Sequence, residues 1–531
     1  MKKIFILLFV CLFTISSINA QKTDLIFSEK VLVKSGLSKL KILKNGKTAN
    51  IVISKEDGLV CTLYNANQQK ENETKAPLVE SNIDYQALKF VMQIDNDIVV
   101  MLASYSERIP KLYRFLFDSS TGAFKGSEKI AEMSVMTSTV AVSVVTVQAP
   151  DRFIEKAPDF FIEKDPLSDY YAVVKLNSYA SETNKMIEVF HYSPQHEKIN
   201  SAYFVSPENK FKNLWMSDIY VNGSKSVILA SYVYNDKADG GGNDAFFYLS
   251  QLNADATTFR NVVLTQTLRY TNYDCNFVSD TIAKNVKVIA KIYKNEKEHS
   301  FICQIINLQT IEFGEQFQIT TEMAKQYFAK NIHIVKEYDS QLQQYVIAKN
   351  GNGLILSERV QSAVSGYYHQ DVGITGITPN GTELFGVVIR YFHYNMGKST
   401  TYMDASKGSF KFASTDEFNA TYLDLITGKN ANYLLLNSTS EDIEQPENSK
   451  NAYKKILLAN SAGLTTFIYT IGKNGELTKT YLFSKPGTDA EAKYCLLHTA
   501  DYDPQTGLYI VSIVEKVNGK KMTSVVWMHL F

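Results

Sequence analysis

Asp236, Asp239, Asn243 and Asp244 crowd around three glycines in the run NDKADGGGND. Oxygen-bearing side chains on a tight, glycine-permitted turn suit a hard cation such as calcium, which takes about six to eight oxygen ligands. The helix-loop-helix calcium pattern is not met, since Lys237 stands where a second ligand belongs and Phe246 where the closing glutamate would be. A solvated loop is the plainer reading of the same residues. A second candidate lies further on, where Tyr367, Tyr368 and His369 are followed by Arg390, Tyr391, Phe392, His393 and Tyr394. Aromatic rings beside imidazole and guanidinium groups would make a stacking platform for a sugar or a peptide. Against that expectation, YFHY also reads as the end of a strand whose alternate residues are buried.

Motifs for covalent or metal chemistry are missing. The run GKST at 397–400 resembles the tail of a phosphate-binding loop, but Phe392 occupies the place of the required glycine. There is no Gly-x-Ser-x-Gly elbow, no His-Glu-x-x-His pair and no repeated sialidase-type aspartate box. His191, His196, His299, His333, His369, His393, His498 and His529 show no ligand spacing. A pair of carboxylates brought together by the fold, as glycosidases use, cannot be read from spacing. The echo FIEKAPDF and FIEKDPLSD within 151–169 and the acidic run SEDIEQPENSK at 440–450 read as polar connections, with partner binding as the other reading.

Lys2 and Lys3 precede an apolar run from Ile4 to Ile15, and small or polar residues lead to Ala20. This is the pattern of a secretory signal peptide, with cleavage expected after Ala20 and a periplasmic or extracellular destination. Cys11 follows Phe9 and Val10, without the small residue that precedes a lipid-modified cysteine, so a lipoprotein is the weaker alternative. Without Lys2 and Lys3 the chain holds 53 basic against 55 acidic residues, which offers nothing to a nucleic acid. No later apolar run is long enough to span a bilayer. Cys61, Cys275, Cys303 and Cys495 are widely spaced in apolar runs and read as buried free thiols, with a Cys275–Cys303 bridge as the alternative.

The elements that must position any site are strands. Helical periodicity is almost absent; apolar runs of 5 to 9 residues, rich in Val, Ile, Tyr, Phe and Thr, alternate with turn residues. A turn followed by an apolar strand recurs at Asn45-Gly46, Asn96, Pro166 to Asp169, Asn222-Gly223, Lys284-Asn285, Asp339 to Gln343, Asn380-Gly381, Gly428-Lys429 and Gln505 to Gly507. The stretch 213–266 carries one complete unit of four strands. Strands repeated in fours predict an all-β propeller over residues 21–531, with seven or eight blades. Nine hairpins overcount the blades, so the seventh or eighth is an outer hairpin or insertion. The final unit lacks a fourth strand and TDLIFSEKVLV at 23–33 lacks a partner, so pairing the two would close the ring.

The run ITPNGTELFGVVI at 377–389 is similar to the hairpin of TolB-like propeller repeats, with Asn380 where that motif usually has aspartate. The resemblance covers one repeat well and the others in outline, and it implies the β-propeller superfamily. From the leader, the repeats and the missing motifs we expect an exported, monomeric, non-catalytic binding or scaffolding protein. A protein, peptide or glycan would dock on one face, with no cofactor beyond the calcium considered above. The alternatives are a propeller glycoside hydrolase or lyase with carboxylates at the channel mouth, and an assembly partner whose loops contact another protein. A propeller-capped peptidase is disfavoured, because the repeats run to Phe531 and leave no room for a hydrolase domain.

Overall fold

Short runs of β-branched and aromatic residues, each ended by a turn that tolerates positive φ, favour antiparallel hairpins. The computed structural model describes residues 24–33, 36–54, 56–78, 86–134, 159–178, 180–209, 211, 213–235, 246–263, 275–293, 299–332, 338, 340–363, 366–396, 423–439, 463–483 and 492–530. Its strands form six four-stranded antiparallel sheets and one sheet of nine strands. Sheets 1 to 6 cover 36–76, 86–132, 159–203, 213–263, 275–319 and 341–396 in chain order. The nine-stranded sheet divides into group 7 (424–481, four strands) and group 8 (493–529, three strands), whose strands pair at a single parallel bridge between Thr465 and Lys493. The short strands Ile26–Phe27 and Val31–Leu32 lie antiparallel to Lys520–His529, with Ile26 opposite Trp527 and Val31 opposite Thr523. The fold is all-β, and its sheets are like the blades of a propeller.

Burial explains the composition of the strands. Middle strands such as Gly58–Tyr64 and Asp97–Ser104 are buried at nearly every position, whereas last strands such as Lys70–Ala76 and Phe124–Glu132 are mostly exposed or half-buried. A strand buried on both faces must carry an unbroken apolar run, and that happens where sheets stack face to face. Each sheet shares an apolar layer with the next: Leu63 with Phe117 between sheets 1 and 2, Met101 with Phe160 between 2 and 3, and Val189 with Leu229 between 3 and 4. The series continues through Ile228 and Val288, Ile289 and Ile355, Phe385 and Phe467, and Leu435 and Val511. Group 8 packs in turn on sheet 1, where Leu40 and Tyr64 meet Ile510, Val525 and Trp527.

The first strands alternate in form. Those of sheets 2, 4 and 6 and of group 8 carry register shifts at Leu88/Phe90, Met216/Asp218, Leu342/Gln344 and Leu496/Asp501. Those of sheets 1, 3 and 5 and of group 7 pair without interruption. A bulge re-aims a side chain, and here each one is accompanied by a polar clasp onto the following first strand. The Lys89 ammonium pairs with Asp159. Asp218 Oδ2 accepts from the Phe277 amide at 2.6 Å. Gln344 exchanges two 3.3 Å bonds with the Leu425 backbone. Asp501 accepts from the Ile42 amide at 2.7 Å and from Lys41 at 3.0 Å.

Three details differ from the sequence reading. Asp339 to Gln343 is not a first hairpin turn, because Gln341–Ile347 is itself the first strand of sheet 6 and the turn follows at Ala348–Asn352. Asn380-Gly381 joins the third and fourth strands of that sheet, so it is the outer hairpin that inflated the count. A ten-residue helix, Glu322–Asn331, precedes sheet 6. Its periodicity is weak because within it only Ala324 and Phe328 are buried, two positions four residues apart. Gly386 lets this helix lie on the last strand of sheet 6, since a Cβ there would stand 2.2 Å from the Ala324 nitrogen. Cys61, Cys303 and Cys495 are buried free thiols, each pushed up to about 12 chiefly by burial, so the Cys275–Cys303 bridge is not formed.

Candidate functional site

Three consecutive first turns, those of sheets 3, 4 and 5, enclose a cleft of about 280 Å³. In the first of them the Asp165 amide donates to the Tyr170 carbonyl at 2.9 Å, and the Asp165 carboxylate accepts from the Leu167 amide and the Ser168 hydroxyl. The second turns at Gly223, whose φ of +52° suits a residue without a side chain. A Cβ at Gly223 would lie 3.7 Å from Asp165 Oδ2, so the two turns sit edge to edge. In the third, Asp280 Oδ1 accepts from the amides of Ile282 and Ala283 at 3.2 and 2.8 Å. Tyr170 and Tyr220 form aromatic wall, and Leu308 is held in the lining by a 3.2 Å bond from Gln251 Nε2 to its carbonyl.

The charges of this cleft are unevenly engaged. Asp165 and Asp280 are 4% and 3% exposed, and both are occupied in forming their own turns. Lys287, also buried, lies 3.4 Å from Asp280. Lys225 and Lys284 are exposed and line the same cleft, and neither ammonium has an ion-pair or hydrogen-bond partner among the described residues. Behind the Gly223 turn, His191 Nε2 lies 2.9 Å from the Gly223 carbonyl, and Nδ1 is buried with no partner among the described residues. Burial lowers the imidazole pKa, so the neutral ring that donates to Gly223 is favoured.

Two other polar clusters occur between sheets. Between sheets 2 and 3, Tyr171 Oη lies 3.2 Å from His196 Nδ1 and Asp97 lies 3.3 Å from His196 Nε2, while Arg114 donates to the Tyr171 hydroxyl. The order resembles a proton relay, but Tyr171 is fully buried and stacked on Tyr192 at 5.0 Å, so no substrate atom can reach it. Where group 7, group 8 and sheet 1 meet, Tyr509 donates to Asp424 at 2.8 Å, and Lys39 donates to the His498 and Ala500 carbonyls at 3.0 and 2.8 Å. Burial pushes the Asp424 carboxyl up to about 6, against the opposing pull of Tyr509 and Lys39.

Of the aromatic platform expected from sequence, two members are placed in the interior. Arg390 and Tyr391 are 9% and 2% exposed, and Tyr391 packs in the apolar layer between sheet 6 and group 7. Beside them Glu358 and Asp371 are wholly buried, with Arg359 3.8 Å from Asp371. The backbones of His369 and His393 are register partners, as are those of Tyr368 and Tyr394 and of Tyr367 and Asn395. The side chains of Tyr367, Tyr368, His369 and His393 lie outside the described residues, as do Asp236, Asp239, Asn243 and Asp244 in full. Among the described residues, no three His, Cys, Asp or Glu side chains are grouped to hold a metal ion. No helix among them is long and apolar enough to cross a membrane. The cleft was missed by sequence reading because its lining comes from three turns that were noted only as punctuation.

No family model matches this chain, and no curated protein matches it. Solved structures of similar outline include a prolyl endopeptidase, 8% identical with a TM-score of 0.41, covering 90% of this chain and 55% of that one. A post-proline cleaving enzyme from Rickettsia typhi is 7% identical with a TM-score of 0.37, covering 91% and 58%. The β-propeller domain of the Trilobed protease from Pyrococcus furiosus is 8% identical with a TM-score of 0.35, covering 83% and 93%. The chain thus spans little more than half the length of the first and second of these proteins. The expectation of a non-catalytic binding or scaffolding protein stands against this finding, since the structures of similar outline are described as those of a prolyl endopeptidase, a post-proline cleaving enzyme and the β-propeller domain of a protease.

Proposed function

We propose that this protein is a propeller of the peptidase type, which admits extended peptide at the cleft of sheets 3 to 5 for peptide-bond hydrolysis. The observation that carries this reading is the lining of that cleft, where Tyr170 and Tyr220, the backbone of three turns and two unpaired lysines face one space. Small-molecule and peptide sites combine aromatic walls with a few placed polar groups in this way. The described residues bring no nucleophile, base and orienting group together in the cleft, so the part assigned to the cleft is binding of the peptide.

The architecture that would present the cleft is, in our reading, an eight-bladed ring, sheets 1 to 6 being followed by groups 7 and 8. Support comes from the apolar layer shared by group 8 and sheet 1 and from the pairing of Ile26–Phe27 with the last strand. Export is proposed on the basic and apolar character of residues 1–20.

The test is fluorescence polarisation with labelled peptides from a casein digest, proline-containing ones included, on wild type and Tyr170→Ala. Saturable binding that Tyr170→Ala weakens supports the reading. No binding by any peptide, or binding indifferent to Tyr170, removes the cleft as a peptide site.

A further inference from the structure

Resting on the peptide reading above, we infer that the cleft of sheets 3 to 5 recognises the carboxylate end of a peptide, held between Lys225 and Lys284 with an apolar last residue against the rim.

Charge decides the end of the chain that fits. Asp165 and Asp280 line the cleft but are 4% and 3% exposed, and the carboxylates of both are engaged within their own turns. Asp165 is taken by the Leu167 amide and the Ser168 hydroxyl, and Asp280 by two amides with Lys287 close by. The charged lining residues that remain exposed are Lys225 and Lys284. In the first turn of sheet 1, by contrast, Lys44 pairs with Asp169 and Lys47 with Glu71. Lys225 and Lys284 have no such partner among the described residues. Two cations on neighbouring turns repel each other, and an anion between them removes that repulsion while accepting charge-assisted hydrogen bonds.

Size and polarity fix the rest. Ligand pockets commonly run from about 300 to 1,000 Å³, so a cleft of about 280 Å³ suits the end of a chain better than its middle. Leu167 is 62% exposed at the rim and Ile282, in the third turn, is 51% exposed. Leu308 lines the same space. Apolar side chains left in water beside a cationic mouth fit a peptide that ends in a leucine-like residue with a free carboxylate.

The experiment compares one fluorescein-labelled peptide, Gly-Ser-Gly-Ala-Leu-Leu, as the free acid and as the C-terminal amide, titrated with the full chain. We expect the acid to bind at least tenfold more tightly, and the difference to shrink in high salt. Lys225→Gln and Lys284→Gln should each weaken the acid about fivefold and leave the amide unchanged. Both lysines are exposed, and an unchanged melting temperature will show that the variants fold. Equal binding of acid and amide, or an acid affinity unmoved by both substitutions, overturns the carboxylate inference while leaving the peptide reading in place. Absence of binding by either form also overturns the carboxylate inference, while the casein-digest titration decides the peptide reading separately.

Discussion

Trp527 donates its indole N–H to the Thr48 hydroxyl at 3.0 Å, and the two residues are 479 positions apart in the chain. The ring also meets Tyr64 edge-on, with centroids 5.1 Å apart. This buried side chain thereby ties sheet 1 to the last strand, beside the packing of Val525 in the same layer. Replacing Trp527 with alanine should cost about 3–5 kcal/mol, and Thr48→Val about 1 kcal/mol. Urea unfolding with a single shared midpoint for all probes would show that the loss is global. A midpoint shift confined to probes in group 8 would mean that sheet 1 does not depend on this contact.

The strands at the N-terminal end make a separate prediction. Removing residues 24–33 exposes the edge of Lys520–His529 and strips the Ser28 amide bond to the Val525 carbonyl. We expect a lower melting temperature and a gain in aggregation, since an unpaired edge offers free backbone groups. Unchanged thermal unfolding and light scattering would count against ring closure by this segment.

Lys89 and Asp159 form a buried ion pair between sheets 2 and 3, with the Tyr105 hydroxyl donating to the same carboxylate at 2.6 Å. Removing one partner strands the other charge in the interior. Lys89→Met alone should therefore cost about 3–5 kcal/mol, and Lys89→Met with Asp159→Leu much less. A double-mutant cycle by chemical denaturation measures the difference. Additive losses would mean that the two side chains do not act as a pair.

Asp424 gives a pH dependence of defined sign. Its folded pKa is raised from 3.8 to about 6, chiefly by burial. A carboxyl with a raised folded pKa favours the folded state below the unfolded pKa, and that contribution is lost as pH rises through the folded value. Asp424→Asn keeps an acceptor for Tyr509 and removes the ionisation. The variant should gain melting temperature relative to wild type at pH 8 and lose that gain by pH 4. A gain independent of pH would assign the effect to something other than the buried charge.

The helix Glu322–Asn331 is capped from a distance. Glu383 accepts from the Glu322 and Met323 amides at 2.9 and 2.8 Å, and from the Thr320 hydroxyl. A carboxylate at a helix N-terminus satisfies amides that have no partner within the helix. Glu383→Ala should cost about 1 kcal/mol and speed amide exchange within 322–331 while the sheets stay protected. Uniform exchange across the helix in wild type and variant would show the cap to be dispensable.

Much of the strand map was legible in the chain. Ser226–Tyr234 and Leu508–Val517 fall where their apolar runs lie, because a strand buried on both faces needs an unbroken run and turn residues at its ends. The helix was not legible, since two buried residues in ten leave too little periodicity. Nor was the misplacement of Asp339 to Gln343, because a first strand and a second strand carry the same β-rich signature. The candidate site was hardly legible at all. Tyr391 and Arg390 attracted notice as aromatic and charged neighbours, yet strand alternation and sheet stacking bury them.

Residue types and their local order determined that this chain makes short antiparallel strands in repeating groups, because side-chain shape and turn chemistry act between near neighbours. The tertiary structure alone decided which groups touch: that Lys89 reaches Asp159, that Asp218 reaches the Phe277 amide, and that Trp527 reaches Thr48. It also decided that the turns at Asp165, Gly223 and Asp280 enclose one space. Those meetings depend on how twisted sheets stack at a fixed spacing, which is a property of the whole assembly and is written in no single stretch of sequence.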